Sequence, residues 1–205
     1  MHAHIRNEHW IATATGGVFH LQDPCPSEVK IQDIAESLSK IARYGGQTPF
    51  FYSVAQHSVM VMRNLPRDAQ PYGLLHDAHE AYIGDMTRPV SRIIKQKTGR
   101  DPLAKMRKDL DKVILKALGI ETPHPQIKRL VDEADDRAIA TEKRDILCGH
   151  DWDWNKAGSA TKIPDPFKSA IKPWPHERAR AEFLEAYTNL TILFPAMAKA
   201  TRKTH

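Results

Sequence analysis

Residues 74–82 read LLHDAHEAY, and this segment decides the kind of helical fold that we expect. Adjacent residues of a helix differ by about 100°, so His76 and Asp77 can both reach one ion at the helix edge. Glu80 returns to the same face one turn later. Burying these groups together is costly unless a cation compensates their charge. The segment indicates a metal site on a helix, although a charged surface helix would show the same letters.

Two other segments supply further candidate ligands. His57 lies in the helical pattern YSVAQHSVMV of residues 52–61, among apolar and small residues. It is either a metal ligand or a hydrogen-bonded core histidine. Asp135 lies in VDEADDRAIATE, residues 131–142, where the alternative is a solvated acidic face. Asp135 and Asp136 cannot point the same way on a helix, and we prefer Asp135 as the ligand.

Two imidazoles and two carboxylates from three helices would form a site for a transition metal. This donor set suits Co, Mn, Zn, Ni or Fe better than Ca. Such an ion lowers the pKa of a bound water and polarises a phosphoryl oxygen. We therefore expect one divalent transition metal ion as the cofactor.

The rest of the chain predicts a single all-α domain over residues 1–205. A short β-hairpin is expected at about 10–26, around Gly16-Gly17, and a helical core at about 31–195. Pro89 is expected to interrupt the helices at a loop and a short helix. The predicted helices and irregular segments are a helix from residue 31 to Gly45-Gly46, helices over 52–64, 72–83, 101–119, 125–148 and 177–193, a loop over 151–174 and a frayed tail over 199–205.

Composition excludes several function classes. No apolar run approaches the roughly 20 residues of a membrane span, and the N-terminus is too polar for a signal peptide, so no membrane partner and a cytoplasmic location are expected. The net charge of +5 is spread along the chain without basic blocks, so no nucleic-acid partner is expected. Cys25 and Cys148 are expected to be two reduced thiols.

The order His57, then His76-Asp77, then Asp135 resembles the metal-binding signature of the HD-domain phosphohydrolase superfamily over about residues 31–145. Arg43-Tyr44 and the segment EAYIGD of residues 80–85 resemble the bacterial 5′-deoxynucleotidase branch and its phage relatives that hydrolyse deoxynucleoside triphosphates. The resemblance implies an HD-domain helical bundle. It also implies a hydrolase of the phosphoric-ester class (EC 3.1) whose small-molecule partner is a nucleotide.

The resemblance also implies roles for individual residues. Glu80 would orient or deprotonate the attacking water, and Asp85 would support catalysis close by. Arg43 would contact the phosphate, and Tyr44 would pack near C2′ of the sugar, where the family commonly has Trp. Deoxy-selectivity therefore stays open. The implied metal ligands are His57, His76, Asp77 and Asp135.

Other functions fit the same scaffold. A non-catalytic HD module could sense a nucleotide without turnover, and an HD-type diiron oxygenase would use two metals. Two-metal HD proteins tend to carry His or Lys where this chain has Glu80, and His79 is expected to lie off the ligand face. A single-metal hydrolase is therefore the leading hypothesis. The resemblance is compatible with a homodimer or a higher homo-oligomer.

Overall fold

The computed structural model describes residues 9–101, 103–147 and 164–201. The described chain is mostly helical and carries one short antiparallel hairpin, as the sequence predicts. Among these residues no helix is both long enough and apolar enough to cross a bilayer. The expectations for Pro102, for Cys148, for residues 151–163 and for the last four residues of the tail lie outside the described ranges.

Two strands, three 3-10 turns and a series of α-helices follow one another along the chain. The strands are β1 (Trp10–Ala12) and β2 (Val18–His20). The 3-10 turns cover Pro26–Glu28, Arg43–Gly46 and Arg67–Ala69. The α-helices are α1 (Ile31–Lys40), α2 (Val54–Arg63), α3 (Gln70–Leu75), α4 (Glu80–Ile83), α5 (Arg88–Thr98), α6 (Ala104–Ala117), α7 (Pro125–Asp145), α8 (His176–Leu193) and α9 (Pro195–Thr201).

The hairpin packs on the helical body, as expected for a pair of strands too small to be stable alone. Gly16 takes a φ of +83° in its turn. Phe19 is fully buried and stacks on Tyr82, with ring centroids 3.7 Å apart. The backbone N–H of Thr15 donates to Asp33 at 2.7 Å, which ties the turn to α1.

Helix α2 lies at the centre of the bundle, in contact with α1, α3, α7 and α8. Ser53 caps its N-terminus by accepting a hydrogen bond from the backbone N–H of Gln56 at 3.2 Å. Most of its side chains are buried, including that of His57, which is fully buried. A second apolar cluster joins α2 to α7 through Val61, Val131 and Ala138. Polar groups on α2 must therefore find protein partners.

The predicted continuous helix over residues 72–83 is wrong at its centre. Helix α3 ends at Leu75 and α4 begins at Glu80. The turn between them keeps right-handed helical dihedrals at His76 and His79. It is tightened by i→i+3 hydrogen bonds, from Ala78 N–H to the Leu75 carbonyl and from Glu80 N–H to the Asp77 carbonyl, both at 3.0 Å. A 3-10-like turn replaces the expected α-helical one.

Two prolines begin helices that the sequence analysis missed. Pro89 lies in the first turn of α5, which runs on to Thr98, so the expectation of a loop and a short helix is wrong. Pro195 opens α9, which extends to Thr201, so the tail is helical from Lys199 to Thr201. Proline is tolerated in the first turn of a helix because the N–H that it lacks has no helical partner there.

Gly119 ends α6 in a close approach to α9. Its φ is +70°, Ile120 N–H donates to the Leu115 carbonyl at 2.8 Å, and Gly119 N–H donates to the Lys116 carbonyl at 3.3 Å. These two bonds form a Schellman cap. A Cβ at residue 119 would lie 2.4 Å from the carbonyl oxygen of Ala196, which is backbone and cannot move aside.

Replacing Gly119 with Ala should lower the free energy of unfolding by about 2–3 kcal/mol, because left-handed strain adds to the clash with α9. Gly99→Ala is the matched control, since Gly99 caps α5 at a φ of +75° with nothing near its Cβ position. The control should cost only about 1 kcal/mol. Urea unfolding of both variants measures the difference, and equal losses would contradict the close approach.

Candidate metal centre

Four donor atoms from three parts of the fold converge beside α2. His57 comes from α2, His76 and Asp77 from the turn after α3, and Asp135 from α7. The Nε2 atoms of His57 and His76 are 3.2 Å apart. Asp135 Oδ1 lies 3.1 Å from the Nε2 of His57 and 3.9 Å from that of His76. Asp77 Oδ2 lies 3.1 Å from His76 Nε2 and 3.6 Å from His57 Nε2.

The spacing of these atoms fits a single transition metal ion. Donors about 2.1 Å from an ion are separated by about 3.0 Å in an octahedral shell and about 3.4 Å in a tetrahedral one. The measured separations, from 3.1 to 3.9 Å, bracket those values. One ion could therefore be coordinated by both imidazoles and both carboxylates after small side-chain adjustments.

The hydrogen bonds behind the two imidazoles set their tautomers. His76 Nδ1 lies 2.9 Å from the Gly73 carbonyl oxygen, which can only accept, so Nδ1 carries the hydrogen. His57 Nδ1 lies 2.6 Å from the Glu142 carboxylate and donates in the same way. Each neutral ring thus directs a lone pair from Nε2 toward the other ring and toward two carboxylates. Such an arrangement requires a cation between the donors, and it is the usual orientation of metal-binding histidines.

Protons neutralise the cluster in the metal-free chain. Burial by itself would lower the pKa of His76, but Asp77 and Asp135 outweigh it and raise that pKa to about 9. Burial and Arg43 lower the pKa of His57, and Glu142 and Asp135 more than offset them. Burial would raise the pKa of Asp77, yet His76 and His57 hold it well below its usual range. The apo cluster is therefore a set of charged pairs.

Glu80 and Asp85 lie next to this cluster and carry raised pKa values. Glu80 Oε2 is buried and has no hydrogen-bond partner in the described part of the chain. Burial and the charges of Asp77 and Asp85 raise the Glu80 pKa to about 10. Burial also raises the pKa of Asp85, partly opposed by Arg43. Two protonatable groups thus lie beside the candidate metal ligands.

His79 lies closer to these groups than the sequence pattern suggested. One donor atom from each of Asp77, His79 and Glu80 falls within 4.8 Å of the others. His79 Nδ1 pairs with Asp111 at 2.9 Å. The tightened turn between α3 and α4 changes the spacing of successive side chains around the axis, which explains the difference from a regular helix.

Arg43 and Tyr44 form the wall of the site opposite α7. Arg43 Nη1 lies 3.6 Å from Asp77 Oδ2, and the arginine side chain is only 11% exposed. Its guanidinium carbon lies 5.5 Å from the centre of the Tyr44 ring. Tyr44 takes a φ of +57°, an unusual conformation for a residue with a side chain. Its hydroxyl donates to Glu142.

Glu142 is the site residue that the sequence analysis missed. It is fully buried, and its carboxylate accepts from His57, Arg43 and Tyr44. Burial would raise the Glu142 pKa, but Arg43 and His57 hold it well below its usual range. A signal was available, because Glu142 follows Asp135 by seven residues on α7 and so lies on the same face, two turns later.

Asp135 and Asp136 differ in what they face. Asp135 Oδ1 faces the two imidazoles, and its Oδ2 accepts from Arg88 Nη2 at 3.2 Å. Asp136 lies 3.9 Å from Arg88 Nη1 and its side chain is 36% exposed. The geometry therefore favours Asp135 as the ligand.

Comparison with known proteins identifies relatives, although no family model matches the chain. It is 34% identical over 137 residues to the "Uncharacterized protein YfdR" of Escherichia coli (strain K12), a match that covers 67% of this chain and 72% of that protein. The chain belongs to the YfdR family. Members of this family include a further relative in Rhodobacter capsulatus, "Uncharacterized protein RCAP_rcc00048", which is 39% identical over 94 residues. That match covers 42% of this chain and 48% of the relative.

The two aspartates of α7 provide a matched test of the metal centre in this YfdR-family chain. Asp135→Asn should abolish binding of Co²⁺ or Mn²⁺, because one of four anionic or imidazole donors is lost. Asp136→Asn should bind with wild-type affinity. Metal analysis after dialysis and calorimetric titration measure both. Retention of metal by Asp135→Asn would contradict the proposed ligand set.

Metal affinity should also depend on pH. His76, with its pKa raised to about 9, is protonated at neutral pH in the metal-free chain, so an ion must displace that proton. The apparent affinity for Co²⁺ should therefore rise with pH by about tenfold per unit for each proton displaced, up to about pH 9. Calorimetry in buffers of different ionisation enthalpy counts the released protons. An affinity independent of pH below that value would contradict the assignment.

Proposed function

We propose that this chain is a metal-dependent phosphohydrolase of the HD-domain superfamily that acts on small nucleotides, with 5′-deoxynucleotidase or deoxynucleoside triphosphate hydrolase activity. One observation carries the proposal: two imidazole lone pairs and two carboxylates converge within 3.1 to 3.9 Å, directly beside a buried arginine. The resemblance of the ligand order to HD-domain enzymes supports the reaction class.

The four converging residues would hold one divalent ion, with Co, Mn, Zn, Ni or Fe matching the donor set. When bound, the ion would supply a water of lowered pKa and polarise a phosphoryl oxygen. Glu142 and the Gly73 carbonyl hold the two imidazoles in the tautomer that such binding needs.

Arg43 would bind the phosphate. Its Nη1 lies 3.6 Å from Asp77, too far for a good hydrogen bond, and its Nε is buried without a partner. Both groups are therefore available to an anion. The guanidinium is nearly excluded from solvent, where its attraction for a phosphate is weakly screened.

Glu80 would take the proton from the attacking water, and Asp85 would support it. In the metal-free chain Glu80 is protonated at neutral pH because its pKa is raised to about 10. Positive charge among the neighbouring ligands would lower that pKa and free the carboxylate as a base. Its unpartnered Oε2 leaves one acceptor ready for a water molecule.

Tyr44 bears on the sugar specificity. The nucleotidase branch commonly has Trp at this position, and a residue there would contact the sugar near C2′. We therefore propose a small nucleotide as substrate, with deoxy- and ribonucleotides both to be assayed. A cytoplasmic location and a homodimeric or larger assembly complete the proposal.

A second candidate function follows from the group formed by Asp77, His79 and Glu80. A second ion sharing Asp77 would give a two-metal centre of the kind used by HD-type oxygenases. Metal analysis decides between the two: two irons per chain would favour the oxygenase, and one ion per chain favours the hydrolase.

The hydrolase proposal is tested by a nucleotide screen. Chelator-treated protein reloaded with Co²⁺ or Mn²⁺ should release phosphate or tripolyphosphate from nucleoside mono- or triphosphates. Detecting both products distinguishes the two activities. Bound metal and nucleotide without turnover, for every ion and nucleotide tried, would instead favour a non-catalytic nucleotide sensor.

Replacing Glu80 with Gln should separate binding from catalysis. The variant should keep its metal, because four other donors remain, and lose about 10²- to 10⁴-fold in kcat, because the general base is gone. Asp77→Asn is the comparison variant and should lose both metal and activity. Wild-type turnover by Glu80→Gln would remove Glu80 from the mechanism.

A further inference from the structure

Glu142 lies between the proposed metal ligands and the proposed phosphate-binding turn, and each of its carboxylate oxygens faces one of them. Oε1 accepts from His57 Nδ1 at 2.6 Å. Oε2 accepts from Arg43 Nη2 at 3.1 Å and from the Tyr44 hydroxyl. The Glu142 side chain has no exposed surface, so bulk water does not compete for these bonds.

We propose that Glu142 is a positioning residue that couples the metal centre to the phosphate-binding turn without touching either ligand. The inference rests on the proposed function for the identity of the two ligands, and extends it by assigning a residue that links their binding. Anything that displaces the carboxylate would then weaken both sites together.

The metal side of the coupling follows from the His57 ring. Accepting the Nδ1 hydrogen fixes the ring plane, keeps the lone pair on Nε2 and increases its basicity. His57 sits on the central, mostly buried helix α2, where no solvent could replace the lost acceptor. Loss of such a partner typically weakens metal binding about 10- to 100-fold.

The phosphate side follows from the backbone of the turn. Tyr44 and Gly45 have φ values of +57° and +61°, so the chain reverses tightly after Arg43. Residues with side chains seldom adopt this conformation, and the bond from the Tyr44 hydroxyl to Oε2 anchors it. The same oxygen holds Arg43 Nη2, which orients the guanidinium beside Asp77.

A carboxylate is needed because donors approach from both sides. Glutamine offers one acceptor oxygen and one amino group that can only donate. If its oxygen faces His57, its amino group meets the hydrogens of Arg43 and Tyr44. If it is flipped, the amino group meets His57 Nδ1–H. Glu142→Gln must therefore break one set of bonds while changing the shape of the side chain very little.

The test uses the full chain, freed of metal by chelation. Co²⁺ titration followed by its visible absorption bands gives the metal dissociation constant, and inorganic phosphate titrated into the Co²⁺-loaded protein gives the anion constant. Glu142→Gln should weaken Co²⁺ binding about 10- to 100-fold and phosphate binding about five- to tenfold. Glu133→Gln, an exposed position on the same helix, should change neither.

Tyr44→Phe separates the two sides. It removes a donor from Oε2 alone, so Co²⁺ affinity should stay within about threefold of wild type while phosphate binding weakens about five- to tenfold. Inorganic phosphate has no sugar, so a lost ring contact with C2′ does not enter the measurement.

Three results would overturn the inference. A folded Glu142→Gln that binds both probes like wild type would overturn it and leave the proposed function standing, as would a lower melting temperature with unchanged dissociation constants. If Glu142→Gln does not fold, unchanged phosphate affinity in Tyr44→Phe would do the same. A wild-type chain that binds no Co²⁺ would remove the proposed metal centre as well.

Discussion

The rest of the structure depends on how a fully buried imidazole is satisfied. His57 sits on the central helix α2, where almost every side chain is buried, and both of its ring nitrogens need partners inside the protein. Glu142 binds one nitrogen, and the second faces His76 and Asp135. Helix α7 is therefore tied to α2 at two points two turns apart, by polar contacts, with the apolar cluster around Val61 packed close by.

The turn between α3 and α4 is the second constraint, because it presents adjacent side chains to one point. His76 Nε2 and Asp77 Oδ2 come within 3.1 Å of each other although the residues are neighbours in sequence. The i→i+3 hydrogen bonds of the turn keep the backbone helical while they tighten it. Glu80 then begins α4 with an unpartnered oxygen at the same place. Local backbone geometry thus gathers three of the proposed functional groups.

The sequence predicted the fold class, the hairpin and most helices because hydrophobic periodicity and glycine or proline breaks are local signals. It missed the α3–α4 break because 3-10 and α turns share one residue pattern. It missed the extent of α5 and the existence of α9 because proline was taken as a break at positions where it opens a helix. Glu142 was missed for a different reason. A glutamate near the end of a charged helix is usually solvated, and its partners, His57 and Arg43, lie 85 and 99 residues away.

The position of Tyr44 changes what the resemblance to nucleotidases implies for selectivity. Its hydroxyl is engaged by Glu142, so only the ring is left to contact a sugar. The left-handed backbone at Tyr44 costs about 1–2 kcal/mol for an L residue, and the charge-assisted bond to Glu142 offsets it. A Trp at this position would carry its donor at a different point of a larger ring and would meet Glu142 differently. Discrimination at C2′ would therefore depend here on ring packing beside Arg43 rather than on the phenol.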